Sequence, residues 1–302
     1  MPRPLVIPAG SVDLAGALYL PEGFDPAGSH AAVVLCGPGS SVKEQIAAGY
    51  AARLASAGFV ALAFDPAHQG ASGGEPRDLE DPYRRSADVS CAVDALSVVA
   101  GVDPARIGAL GICAGGGYAV HAARTDHRIA ALGTVVAVDI GAARRRGGAD
   151  GAALDDLAAA RAAEVAAGEP ERVPWLPDTV EDAATAGITD PDTLQAVTYY
   201  RTSRGHHGRS TNRRLRRSDP LLIGFDAFGL VDLLLTCPLQ VVLAGRRGST
   251  GQYEDGERLA RLAPNAEDVV VVEGAGHYEM YDVPEYVDRA VAALVPFFRR
   301  HL

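Results

Sequence analysis

Short apolar runs alternate with amphipathic stretches along most of the chain. Residues 31–35, 59–64, 107–112, 129–138, 239–244 and 269–272 are each short, nearly continuous apolar runs bounded by turn formers, the pattern of strands buried on both faces. Between or after them, helical periodicity covers about 43–56, 83–99, a segment opening near Gly115, 255–262 and 286–301. Two earlier pieces, 5–8 and 15–20, read as strands closed by Pro21. This alternation predicts βαβ units and an α/β fold, with a mostly parallel eight-stranded sheet and helices on both faces. The alternation lapses between 142 and 217, where helical stretches rich in Ala, Asp, Glu and Arg carry no clear strand. The expected organisation is therefore a core of residues 1–141 and 218–302, interrupted by a helical cap insertion at 142–217.

Composition narrows the function classes. The 302 residues are 48% hydrophobic and 22% charged, which fits a globular chain, and 28 Lys+Arg against 38 Asp+Glu leave a net charge of -10. Such an acidic balance gives no overall electrostatic footprint for nucleic acid or an anionic membrane. No apolar run approaches the roughly 18 residues a membrane helix needs. Residues 1–20 hold prolines and an aspartate where a signal peptide needs an apolar stretch, so a cytoplasmic protein is expected. Cys36, Cys91, Cys113 and Cys237 are scattered and form no CxxC pair, and His206-His207 has no third ligand at suitable spacing, so no metal is expected. Arginine clusters at 144–146 and 204–217 read as solvated surface of the insertion, with contact to an anionic carrier or cofactor tail as the sharper alternative.

The segment Gly111-Ile112-Cys113-Ala114-Gly115 lies between an expected strand and an expected helix. That is the setting of a G-x-S-x-G nucleophile turn, here with sulfur in place of oxygen. The bend is tight, and side chains two residues to either side would collide with neighbouring backbone. A helix starting beside Cys113 aims its N-terminal N–H groups at the sulfur, which predicts a lowered thiol pKa. His277, in a Gly-rich loop after the last strand, is the matching base, with His68 as a secondary pocket candidate. The acid is less clear. The loop after residue 244 reads Gly245-Arg246-Arg247-Gly248 and has no carboxylate, whereas Asp139 follows the strand at 129–138. Asp139 is the first candidate to orient His277, Glu254 the alternative, and a dyad without an acid remains open because a thiol ionises readily. The backbone N–H groups of Ala114 and Gly39 are the expected oxyanion donors, since Pro38 has none to give.

Taken with Val42-Lys43-Glu44-Gln45, the stretch Asp65 to Arg77, Tyr199-Tyr200-Arg201 and Tyr281-Asp282, these motifs resemble the α/β-hydrolases, nearest the bacterial branch related to dienelactone hydrolases. The resemblance spans nearly the whole core. It implies a nucleophile–His–acid triad and acyl chemistry, and it leaves the acid open. The expected activity is Cys-dependent acyl transfer on an ester, lactone or thioester through a thioacyl intermediate, most simply hydrolysis. Intramolecular cyclisation of the polyketide-tailoring type and a non-catalytic ligand-binding homologue are the alternatives. A small-molecule acyl substrate is expected, free or linked to a carrier or coenzyme A, with no cofactor; a homo-oligomer is compatible with the sequence. An Asp nucleophile, as in dehalogenases and epoxide hydrolases, is disfavoured by the cysteine at that position.

Overall fold

The computed structural model describes residues 1–302. The strands are β1 (Arg3–Ala9), β2 (Val12–Tyr19), β3 (His30–Cys36), β4 (Val60–Phe64), β5 (Val102–Ile112), β6 (Ile129–Val135), β7 (Arg172–Pro174), β8 (Arg213–Leu215), β9 (Leu239–Ala244) and β10 (Val270–Val272). The helices up to β6 are α1 (Ile46–Ser56), α2 (Pro82–Ser97) and α3 (Ala114–Ala123). Between β6 and β9 lie α4 (Ile140–Arg146), α5 (Gly151–Ala167), α6 (Val180–Thr185), α7 (Pro191–Arg201), α8 (Ser218–Gly224) and α9 (Val231–Leu234). The chain closes with α10 (Gln252–Leu262), α11 (Glu279–Asp282) and α12 (Pro284–His301).

Eight strands form one sheet in the order β1-β2-β4-β3-β5-β6-β9-β10. The pairings of β1 with β2 and of β2 with β4 are antiparallel, and all others are parallel. The apolar runs have a simple cause. In β3, Ala32, Val34 and Cys36 pack into the layer built with α2 and α3, while Ala31, Val33 and Leu35 pack into the layer with α1 and α12. Both sides of each strand are buried, so no polar alternation survives.

Several boundaries differ from the sequence expectation for identifiable reasons. Helix α1 starts at Ile46 because residues 42–45 form a turn, with the Val42 N–H donating to Gln45 Oε1 at 2.9 Å. Strand β6 ends at Val135, since Val136 adopts a positive φ of 43° and breaks the extended run. The inserted stretch is not purely helical: β7 and β8 pair antiparallel as a second, two-stranded sheet. Each is only three residues long, too short to give a periodic signal. No helix is long and apolar enough to cross a membrane.

Candidate active site

Cys113 terminates β5 and is the residue from which α3 starts, with φ 57° and ψ -127°. A non-glycine residue pays strain to sit there, and it persists because its neighbours leave no alternative. A β-carbon on Gly115 would run into the Cys36 carbonyl, and one on Gly111 would meet the Gly115 carbonyl at 2.5 Å. The two glycines thus let the turn close against β3.

The cysteine opens onto a cavity of about 130 Å3, walled mainly by apolar groups that include Ile140, Trp175, Leu176 and Tyr200. Gly39 and Ala114 line the same cavity. The Ala114 N–H favours the Cys113 thiolate. The Gly39 N–H makes no hydrogen bond within the protein. Arg85, 4% exposed, fixes the loop that carries Gly39: one of its terminal nitrogens donates to the Gly37 and Pro38 carbonyls at 2.8 and 3.0 Å. Arg85 in turn lies over the Tyr118 ring and near Glu80, which accepts from the Tyr118 hydroxyl at 2.7 Å.

A tyrosine stands between the sulfur and the histidine. Tyr281 lines the same cavity as Cys113 and its hydroxyl favours the thiolate, and His277 Nε2 lies 3.3 Å from that hydroxyl oxygen. His277 follows β10 and is 1% exposed, while Tyr281 lies on the single-turn helix α11, four residues on. Burial lowers the His277 pKa to about 3, and its Nδ1 is buried without a partner. Burial also raises the Cys113 thiol above its ordinary value, outweighing the Tyr281 hydroxyl, the Ala114 amide and Arg85, which all favour the thiolate. The expectation of a lowered thiol pKa is thereby reversed. Desolvation of the sulfur exceeds the pull of one helix N-terminus.

A family model described as "Alpha/beta hydrolase family" matches residues 32–290. The chain belongs to the α/β-hydrolase family. It is 38% identical over 299 residues to the uncharacterized protein YcjY of Escherichia coli (strain K12), covering 97% of this chain and 95% of that one. It is also 30% identical over 303 residues to the uncharacterized protein PA2218 of Pseudomonas aeruginosa, covering 96% of this chain and 78% of the relative. The crystal structure of PA2218 superposes with a TM-score of 0.86 at 28% identity, over 100% of this chain and 94% of that one. A shorter match, 35% identical over 116 residues, joins 38% of this chain to 35% of the thiohydrolase aneE of Aspergillus aculeatus. The protein is thus a hydrolase-type enzyme of this family.

In this α/β-hydrolase the sequence candidates part company. Cys113, Ala114 and Gly39 meet at one cavity, with His277 behind Tyr281. Asp139 does not reach His277: it caps α4 through the Ala142 N–H at 3.1 Å, pairs with Arg258 at 3.3 Å, and its own N–H donates to Asp255. Glu254 is exposed and pairs with Arg247. Both carboxylates are drawn off by arginines, and no other carboxylate takes the vacant place at Nδ1. His68 lines neither this cavity nor the polar one beside it; its Nδ1 lies 3.1 Å from the Pro76 carbonyl in a loop where His68 has φ 70°.

Sequence reasoning missed Tyr281, Arg85 and Trp175. For Tyr281 a signal existed, because a tyrosine four residues after a loop histidine returns to it over one helical turn. Arg85 and Trp175 gave none, since each arrives from a distant part of the chain. The stretches 42–45 and 65–77 are tied to each other through Lys43 and Asp65. Asp65, fully buried, accepts from the Lys43 N–H at 2.7 Å, from Lys43 Nζ at 2.8 Å and from the Ala71 N–H at 2.8 Å.

Proposed function

We propose that the protein transfers acyl groups through a thioester on Cys113, with His277 as the base and Tyr281 as the proton relay between them. What supports this is Tyr281, whose hydroxyl lies 3.3 Å from His277 Nε2 and which lines one cavity with Cys113, at its strained turn, and with Gly39 and Ala114. As the sulfur attacks an acyl carbonyl, its proton moves to the Tyr281 oxygen while the Tyr281 proton moves to His277 Nε2. The Gly39 and Ala114 N–H groups hold the developing oxyanion; one such donor is worth about 10²–10³ in rate. Collapse breaks the bond to the leaving group, which receives the proton back along the same path. Water then repeats the cycle on the thioester and releases the acid.

The dry histidine shapes the substrate class. Protonating His277 is costly because burial desolvates the ring, and no carboxylate partners its Nδ1 to offset that. Full imidazolium formation is therefore disfavoured, and the reaction suits leaving groups that need little proton help: thiolates, phenolates and enolates. Thioesters, activated esters and lactones of this kind fit; amides do not. The thiohydrolase name of the Aspergillus relative points the same way. In this proposal residues 142–217 act as a cap, since Trp175 and Leu176 roof the cavity. Arg144 and Arg214 hold the Trp175 ring from 5.5 and 5.0 Å. The narrower kinship with dienelactone hydrolases belongs to the same proposal. The apolar walls also suit an acyl acceptor within the substrate, which would yield a cyclic product.

Incubation with an activated thioester and intact-mass analysis tests the reading. We expect one acyl group per chain, mapped to Cys113 and absent from Cys113→Ala. Acylation of another residue, or turnover undiminished in Cys113→Ala, would overturn it. Free acid among the products identifies hydrolysis, and a lactone identifies cyclisation.

A further inference from the structure

We propose that a second cavity beside the acyl pocket, walled by Arg77, Arg209 and Arg213, binds an anionic group, phosphate or carboxylate, on the part of the substrate remote from the reacting carbonyl. This rests on the acyl-transfer reading and extends it to the substrate's far end.

The two cavities adjoin. Ser40 lines both, and the stretch from Thr211 to Arg213 contributes Asn212 to the first and its two neighbours to the second. The second measures about 270 Å3, and Val42 is its one hydrophobic lining residue. Small-molecule sites usually span about 300–1,000 Å3. Neither cavity reaches that alone, and the pair does. One is apolar and holds the candidate nucleophile; the other is polar. A substrate with an acyl end and an ionic end matches both.

The charge balance gives the sign. Three arginines face one aspartate here, in a chain whose net charge is -10. The aspartate is already engaged, because Asp78 pairs with Arg172 at 3.0 Å and accepts from the Thr211 hydroxyl at 2.8 Å. Arg209 and Arg213 each hold one carboxylate, from Glu44 and Asp178. Arg77 has none. Its guanidinium is fixed by the Gly70 and Ser72 carbonyls at 2.9 and 2.6 Å, and it forms no ion pair. Carbonyl oxygens orient that group without cancelling its charge, so a positive centre is held in place at the cavity wall. A planar guanidinium held in this way suits bidentate recognition of phosphate or carboxylate.

Backbone strain marks the same boundary. Ser40, Asp78 and Asn212 all take positive φ, at 61°, 66° and 58°. With Cys113, four of the seven non-glycine residues in that region line one cavity or the other. Such strain gathers where side chains and amides must be aimed at a ligand.

The test compares thioesters of one acyl group that differ only in their thiol: N-acetylcysteamine, which is neutral, and phosphopantetheine, which carries phosphate. A third probe joins N-acetylcysteamine to an acyl chain ending in a carboxylate. We expect kcat/KM to be at least about tenfold higher for one anionic probe than for the neutral one at low salt, as a charge-assisted hydrogen bond provides. The advantage should shrink as ionic strength rises. In Arg77→Gln and in Arg209→Gln the ratio of anionic to neutral probe should fall towards one. Arg209 is exposed, so its variant keeps the test valid if loss of Arg77 disturbs the loop. Preference for phosphopantetheine identifies a phosphorylated carrier; preference for the third probe identifies a dicarboxylic acyl group. Equal rates for all three, or a preference that survives both substitutions, overturns the anion site. If no probe acylates Cys113, the acyl-transfer reading fails instead. Inorganic phosphate titrated calorimetrically into the wild type and Arg77→Gln then decides the site by itself, with binding weakened in the variant supporting it and no binding to the wild type refuting it.

Discussion

At Cys113 a helix N-terminus, a tyrosine hydroxyl and a distant arginine favour the thiolate, and burial opposes all three. Burial prevails, so the resting group is a thiol, and in the proposed reaction its proton must leave during attack. Two outcomes follow. Alkylation of Cys113 by iodoacetamide should still be accelerating at pH 9, whereas a plateau below pH 8 would contradict the geometry. Tyr281→Phe removes the hydroxyl that the proposal places between sulfur and imidazole, while leaving the ring that packs against Tyr199 and Tyr278. Its kcat should drop by about 10²-fold or more, with KM nearly unchanged and the pH profile of kcat/KM displaced. A variant with wild-type kcat would show that His277 reaches the sulfur without the relay.

At the scale of elements, the site depends on how the loops at the carboxyl ends of the strands are tied together. The loop after β3 is held by Arg85 of α2, and the loop after β4 by Asp65 against Lys43. Helix α7 docks through Tyr199 and Tyr200, whose rings meet Tyr281 edge-on at 5.1 and 6.3 Å. Next to it, Arg204 grips Asp282 and the Tyr278 carbonyl. Arg85→Met should therefore act twice. It removes the counter-ion of buried Glu80, which keeps the Tyr118 and Gln69 donors, and strands two carbonyls without theirs, which together cost about 3 kcal/mol in urea unfolding. It also frees Gly39, which lowers kcat more than it raises KM. Unchanged stability and unchanged kcat would show that the loop needs no such clamp.

For the molecule as a whole, buried His277 and half-buried His121 set the response to acid. His277 stays neutral down to about pH 3 in the folded protein, and His121 to about 4, while both titrate near 6.5 when unfolded. Between those values the unfolded chain binds protons that the native one refuses. The stability they contribute is complete above about pH 6.5 and is lost as pH falls towards 3. Asp88 and Asp139 act in the opposite sense, because burial raises their carboxyl pKa values. Comparison with His277→Gln isolates the histidine: the variant's stability should decline less steeply between pH 6.5 and 4. Parallel curves for the two proteins would refute the assignment.

The order of strands and helices was written in the chain because each strand is buried on both faces and each outer helix on one, and burial leaves a periodic record. The turn at Cys113 was legible for a related reason: its glycines are demanded by backbone collisions within a few residues. The place of His277 in the loop after the last strand was legible too, while its role as base belongs to the proposal. The acid was not, because a carboxylate after a strand looks the same whether it faces an imidazole or an arginine, and Asp139 faces Arg258. Nor could the chain order disclose the ionisation of the sulfur, the bridge through Tyr281 or the arginines gathered beside Ser40. Those depend on burial and on distances between residues far apart in sequence, quantities that exist only once the polypeptide has folded.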